Sequence, residues 1–112
     1  MPIKRECNYA RCPVEAALDF LGGKWKSMIV ALLLDDTLRF NELQRRLNGI
    51  THRVLSAQLK DLENCGLVER TVYPEVPPRV EYTLTTLGKT LRPVMDALRK
   101  WGEEYALETQ KA

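Results

Sequence analysis

A single histidine, His52, and three cysteines, Cys7, Cys12 and Cys65, are all the imidazole and thiol groups in this 112-residue chain. Their spacing matches no zinc site, and one imidazole cannot build a histidine-based catalytic arrangement. No nucleophile elbow is present, and Gly22-Gly23-Lys24 lacks the rest of a phosphate-binding loop, so it reads as a helix-breaking turn. Catalysis, a metal and a cofactor are therefore not expected. Long apolar runs are missing too. The longest, 28–34, falls far short of the roughly 20 residues that cross a bilayer. Lys4, Arg5, Glu6 and Arg11 break up the N-terminus before any apolar stretch develops, which argues against a signal peptide and for a cytoplasmic protein with no membrane partner. An odd number of cysteines in that setting reads as free thiols or redox groups rather than a disulfide framework. Nor does one sign of charge dominate. Between positions 37 and 85, basic and acidic residues nearly balance, seven against six, so nucleic-acid binding would need charge gathered on one face.

What the chain does carry is periodicity in a definite order. Residues 1–11 read as a flexible basic arm and 12–112 as a single domain. Pro13 suits a first helical position, where a missing N–H costs nothing. Val14, Ala17, Leu18 and Leu21 then recur at amphipathic spacing until Gly22-Gly23 stops the helix. Trp25, Met28, Ile29, Leu32 and Leu33 repeat the pattern in the most hydrophobic element, the expected centre of the core. A short strand near 38–40 leads to a helix at 41–47, with Asn41 as N-cap and Gln44 at capping-box spacing. Asn48-Gly49-Ile50 makes the turn. The next helix, 51–65, has Thr51 as its cap, Ile50 stapling onto Leu55, and Gly66 as its terminator. Two short helices around a Gly-containing turn are a helix-turn-helix.

Residues 67–73 and 79–85 are β-branched and alternating, with Val80, Tyr82 and Leu84 on one face. Pro77 and Pro78 stiffen the tip between them, and the pair reads as a wing. The predicted fold is α+β: a winged helix-turn-helix with additional N- and C-terminal helices. Thr85 or Thr86 caps the last of these, 86–108. Its Leu87, Leu91, Val94, Leu98, Trp101 and Tyr105 form a seam of 3.5-residue period suited to packing on another helix, and Pro93 is expected to kink it.

On the 51–65 helix, Leu55, Leu59 and Leu62 share a buried stripe and leave Arg53, Ser56, Ala57 and Lys60 opposite. Arginine can grip guanine bidentately, serine can meet a base or phosphate, and alanine can touch a thymine methyl. Any solvated helix shows a polar face; the preceding turn and following wing make this one a groove-reading set. Arg79, beside the prolines, sits where a wing meets DNA, with a plain hairpin charge as the equal alternative. Arg39, Gln44 and Arg45 are candidate phosphate contacts, and His52 a solvent-facing or phosphate-side residue. Cys12 occupies an N-cap position beside Arg11, where free N–H groups would stabilise a thiolate. Glu15 opposes that effect, and an inert thiol stands as the alternative. Cys65 reads as a buried thiol, and Cys7 as a thiol able to resolve an oxidised Cys12.

Cys12-Pro13-Val14-Glu15, Leu21-Gly22-Gly23-Lys24-Trp25, Arg39-Phe40-Asn41-Glu42-Leu43, Gln58-Leu59-Lys60-Asp61-Leu62-Glu63 and the stretch from Tyr73 to Tyr82 resemble the HxlR-type transcriptional regulators, a dimeric winged-helix group related to the MarR regulators. The resemblance runs from about Cys12 to Gly102. It implies a homodimer that binds an inverted-repeat DNA operator, joined through the seam at 86–108, and it places Cys12 where several members sense electrophiles or oxidants. Two other functions compete. One is a winged-helix module using the same face for protein contacts, which the near-neutral charge favours. The other is the same DNA binder answering a small-molecule effector in an apolar interface pocket, with Cys12 structural.

Overall fold

The computed structural model describes residues 12–107. Cys7 and the arm at 1–11 lie outside them, as do residues 108–112. Helix α1 (Pro13–Leu21) begins with Pro13 in its first turn and Cys12 as N-cap. Only Phe20 and Leu21 of α1 reach the core, while Val14 and Leu18 of its apolar stripe stay 66% and 57% exposed. Helix α2 (Lys26–Asp35) is the centre of the core as expected, but Met28 of the expected stripe is 41% exposed, and Val30, outside that stripe, is fully buried beside Ile29. Each such side chain contributes about 1.5–3 kcal/mol through burial. Packed around it are Leu43, Leu55, Leu59, Leu62, Tyr82, Leu84 and Met95.

Strand β1 (Leu38–Arg39) runs into α3 (Phe40–Arg46), which starts one residue before the expected cap. Arg39, not Asn41, is the N-cap, and its backbone N–H donates to Glu42 Oε1 at 2.9 Å. The side chain that reaches back from the third helical position is therefore Glu42 rather than Gln44, and its ionised carboxylate satisfies an N-terminal N–H better than an amide. Gly49 makes the turn at φ +94°. Helix α4 (His52–Asn64) opens as expected, with Thr51 Oγ1 accepting from Val54 N at 3.1 Å and Ile50 and Leu55 both buried at the staple. It closes through Gly66 at φ +81°, with Gly66 N donating to Glu63 O and Leu67 N to Leu62 O. Those two bonds are a Schellman end. Cys65, at that end, is buried and disulfide-bonded rather than a thiol, and Cys12 is free.

Strands β2 (Val68–Tyr73) and β3 (Arg79–Leu84) form the wing, and β3 lies between β2 and β1 in an antiparallel sheet. Side chains alternate along strands. Val68, Arg70 and Val72 therefore share a face with Leu84, Tyr82 and Val80, and Glu69, Thr71 and Tyr73 share the other with Thr83, Glu81 and Arg79. The first face is turned to the helices, since Val68, Tyr82 and Leu84 are buried.

The last helix is not continuous. Helix α5 (Thr86–Lys89) is a single turn capped by Thr85, whose Oγ1 accepts from Gly88 N at 3.0 Å and donates to Gly66 O at 2.6 Å. Helix α6 (Arg92–Trp101) then starts afresh, with Pro93 in its first turn, and a π-turn follows at Gly102–Ala106. Pro93 thus opens a helix instead of kinking one, because only a first turn can spare its N–H. Arg92 ties the new start to the end of α2, donating to Leu34 O at 2.6 Å.

Candidate nucleic-acid interface

The exposed side of α4 is the feature around which the surface is organised. Leu55, Leu59 and Leu62 are at most 1% exposed, which pins the helix by one stripe. Arg53, Ser56, Ala57 and Lys60 consequently all face solvent. His52 is exposed as well, and its ring lies 4.5 Å from that of Phe40, tilted by 45°, so it braces the start of α4 against α3. Between α4 and the wing runs a cleft of about 590 Å³, lined by Phe40, His52, Ser56, Lys60, Glu63, Asn64, Arg70, Val80 and Tyr82.

Arg39, Gln44 and Arg45 come together around a second hollow of about 750 Å³ on α3, with Asn41 and Glu42 completing its wall. Gln44 also points its amide at Ile50 O, at 3.5 Å, within the helix-turn-helix bend. Arg79 is placed apart from all of these. Its guanidinium lies 4.1 Å over the Tyr73 ring, 3.4 Å from Glu75 and 3.7 Å from Glu81. Arg70 was not singled out by the sequence reading, yet it lines the α4–wing cleft. Its parity with Val68 and Val72 along β2 was the available signal, legible only once the strand register is known.

Cys12 stands exposed at the head of α1. The backbone amides of Glu15 and then Val14 point at the sulfur and hold its pKa below the ordinary thiol value, although neither closes a hydrogen bond of normal geometry. Beside it, α1 and α6 form an apolar groove of about 630 Å³, lined by Val14, Ala17, Leu18, Leu21, Val94 and Leu98 among others. The expected seam divides here. Leu87 and Leu91 pack on the chain's own core, whereas Val94, Leu98, Trp101 and Tyr105 are exposed by 42%, 53%, 60% and 55%. A contiguous apolar surface of this kind marks a place of contact.

Among the described residues, no cluster of His, Cys, Asp or Glu could hold a metal ion, and no helix is long and apolar enough to cross a membrane. The profile of the HxlR-like helix-turn-helix proteins matches residues 20–110, a span that begins after Cys12. An uncharacterized HTH-type transcriptional regulator of Methanothermobacter thermautotrophicus is 53% identical over 94 residues, covering 84% of this chain and 72% of its own. The redox regulator HypR in its reduced form superposes with a TM-score of 0.82 at 46% identity, over 88% of this chain and 99% of its own. The reduced form of the transcriptional regulator YodB from B. subtilis does so with a TM-score of 0.74 at 36% identity, over 86% and 95%.

Proposed function

This chain belongs to the HxlR-like helix-turn-helix family of transcriptional regulators, which bind DNA, and from that premise we propose a two-fold dimer switched at Cys12. In the cytoplasm, two copies of α4 enter successive major grooves of an inverted-repeat operator, roughly 34–36 Å apart. Arg53, Ser56, Ala57 and Lys60 read base edges, while Arg39, Gln44, Arg45 and His52 hold flanking phosphates. The partner protomer covers the apolar surface of α1 and α6, through Val94, Leu98, Trp101 and Tyr105.

One observation carries the switch: the residue with the activated thiol caps the same helix that lines the uncovered groove. Alkylation at Cys12 Sγ replaces a thiolate with a bulkier, neutral thioether at the rim of that groove. The helix then packs differently against the partner, the separation of the reading helices changes, and operator affinity changes with it. The likeness to HypR, named a redox regulator, supports this reading.

Operator binding before and after treatment with a quinone, whose ring carbon adds to the Cys12 thiolate to give that thioether, tests it. Wild-type affinity should shift by about 5- to 150-fold, the range of ordinary coupling free energies, and Cys12→Ser should not respond. Equal sensitivity of the two proteins would defeat the switch. A second reading has its own support in the groove, whose volume suits a small apolar effector. Under that reading the Cys12→Ser protein keeps its response to the effector.

A further inference from the structure

Arg70 and Arg79 both belong to the wing but lie on opposite faces of it. Arg79 is on the reverse face, turned away from the helices. Its side chain is covered on one side by Tyr73 and flanked by Glu75 and Glu81, both within 4 Å. Two carboxylates against one guanidinium leave that corner of the wing net negative, which repels a phosphate. Arg70 differs in each respect. It is exposed, it is on the face turned toward α4, and it joins no ion pair among the described residues. It also lines one cleft with Ser56 and Lys60 of the reading set. Glu63 is the only carboxylate in that lining, against the cations of Lys60 and Arg70, so the cleft is net positive.

We propose that Arg70 is the wing's phosphate-positioning residue, and that Arg79 is a strut that stiffens the hairpin. The assignment rests on the DNA-binding reading above. Arg70 meets the DNA backbone beside the groove that α4 enters, and its planar fork suits two phosphate oxygens. Such a contact sets the register of the reading helix without carrying sequence information itself. Arg79 instead binds the Tyr73 end of β2 to β3 across the proline tip.

Salt dependence separates the two roles. The full-length protein is titrated onto a mixed-sequence DNA duplex at several salt concentrations. Each lost phosphate contact flattens the slope of log affinity against log salt by about 0.9, which is roughly 3.5-fold in affinity between about 50 and 200 mM. Arg70→Ala should lose that amount per protomer, and Arg70→Lys, which keeps the charge, should recover it. Arg79→Ala should keep the wild-type slope and instead speed amide hydrogen exchange along the two wing strands. A wild-type slope for Arg70→Ala, or a flattened one for Arg79→Ala, overturns the assignment while DNA binding stands. A wild-type protein without salt-dependent affinity for any duplex removes the DNA-binding reading, and this assignment with it.

Discussion

The acidity of Cys12 comes from its address on a helix rather than from its charged neighbours. Glu15, which in the sequence stands as an opposing carboxylate, acts on the thiol first through its main-chain N–H, with Val14 second. An exposed sulfur at a helix start meets amides that have no intrahelical partner, and a thiolate answers them better than a thiol. The direction sets the pH response. Folding lowers the pKa, so the thiolate persists to lower pH in the native protein than in the unfolded chain. Its contribution to stability is present above the unfolded pKa and fades as pH falls through the folded one. Alkylation of Cys12 by iodoacetamide should therefore show a pH midpoint below that of the same cysteine in urea-unfolded protein. Coincident midpoints would mean that the helix start has no hold on the sulfur.

Among the elements, α6 carries an apolar seam that its own chain leaves largely uncovered. It buries only Met95, and Val94, Leu98 and Trp101 remain open to water. Its seam period was legible from the spacing of apolar residues, but its upstream end was not. Leu87 and Leu91 continue the same spacing, yet they pack on the chain's own core because the chain turns between α5 and α6. If the proposed dimer forms there, Leu98→Glu should convert it to monomers without loss of helix content, as Leu98 is 53% exposed in the single chain. An uncompensated charge buried at an interface costs about 3 kcal/mol or more, which weakens association by roughly 100-fold or more. Light scattering with far-UV circular dichroism checks both halves; a dimer of undiminished affinity would place the interface elsewhere.

Taken whole, the molecule is stretched. Its radius of gyration is 15.0 Å, with extents of 49 × 34 × 23 Å. A compact chain of this length would have a radius near ~13 Å. In the proposed dimer, a protomer of that shape can hold its reading helix to one side of the two-fold axis, which would couple the protein to the helical repeat of DNA. Inserting about 5 bp between operator half-sites turns one of them half a turn away, since the duplex repeats every 10–10.5 bp. Affinity should then drop toward that of a single half-site, a loss of about 100-fold or more when the tie between two binding modules is broken. Electrophoretic mobility shifts on respaced operators measure this. Undiminished affinity would show that the two helices do not bind as a fixed pair.

Most of the element order follows from local rules that a linear pattern can express. Thr51 as a cap, Gly49 and Gly66 as left-handed residues, and the leucine stripe of α4 all depend on neighbours within a few positions. Where capping differed, at α3, the competition lay between residues two positions apart, and a charged acceptor prevailed over an amide. Contacts between distant parts of the chain obey no such rule. That the Tyr73 ring lies under Arg79 while Arg70 faces α4 depends on how β2 and β3 pair. That Val14 and Leu18 line an open groove instead of a core depends on where α6 comes to rest. An apolar stripe says that a face will be buried; only the packed chain decides against what, because burial is a relation between surfaces that sequence separation does not record.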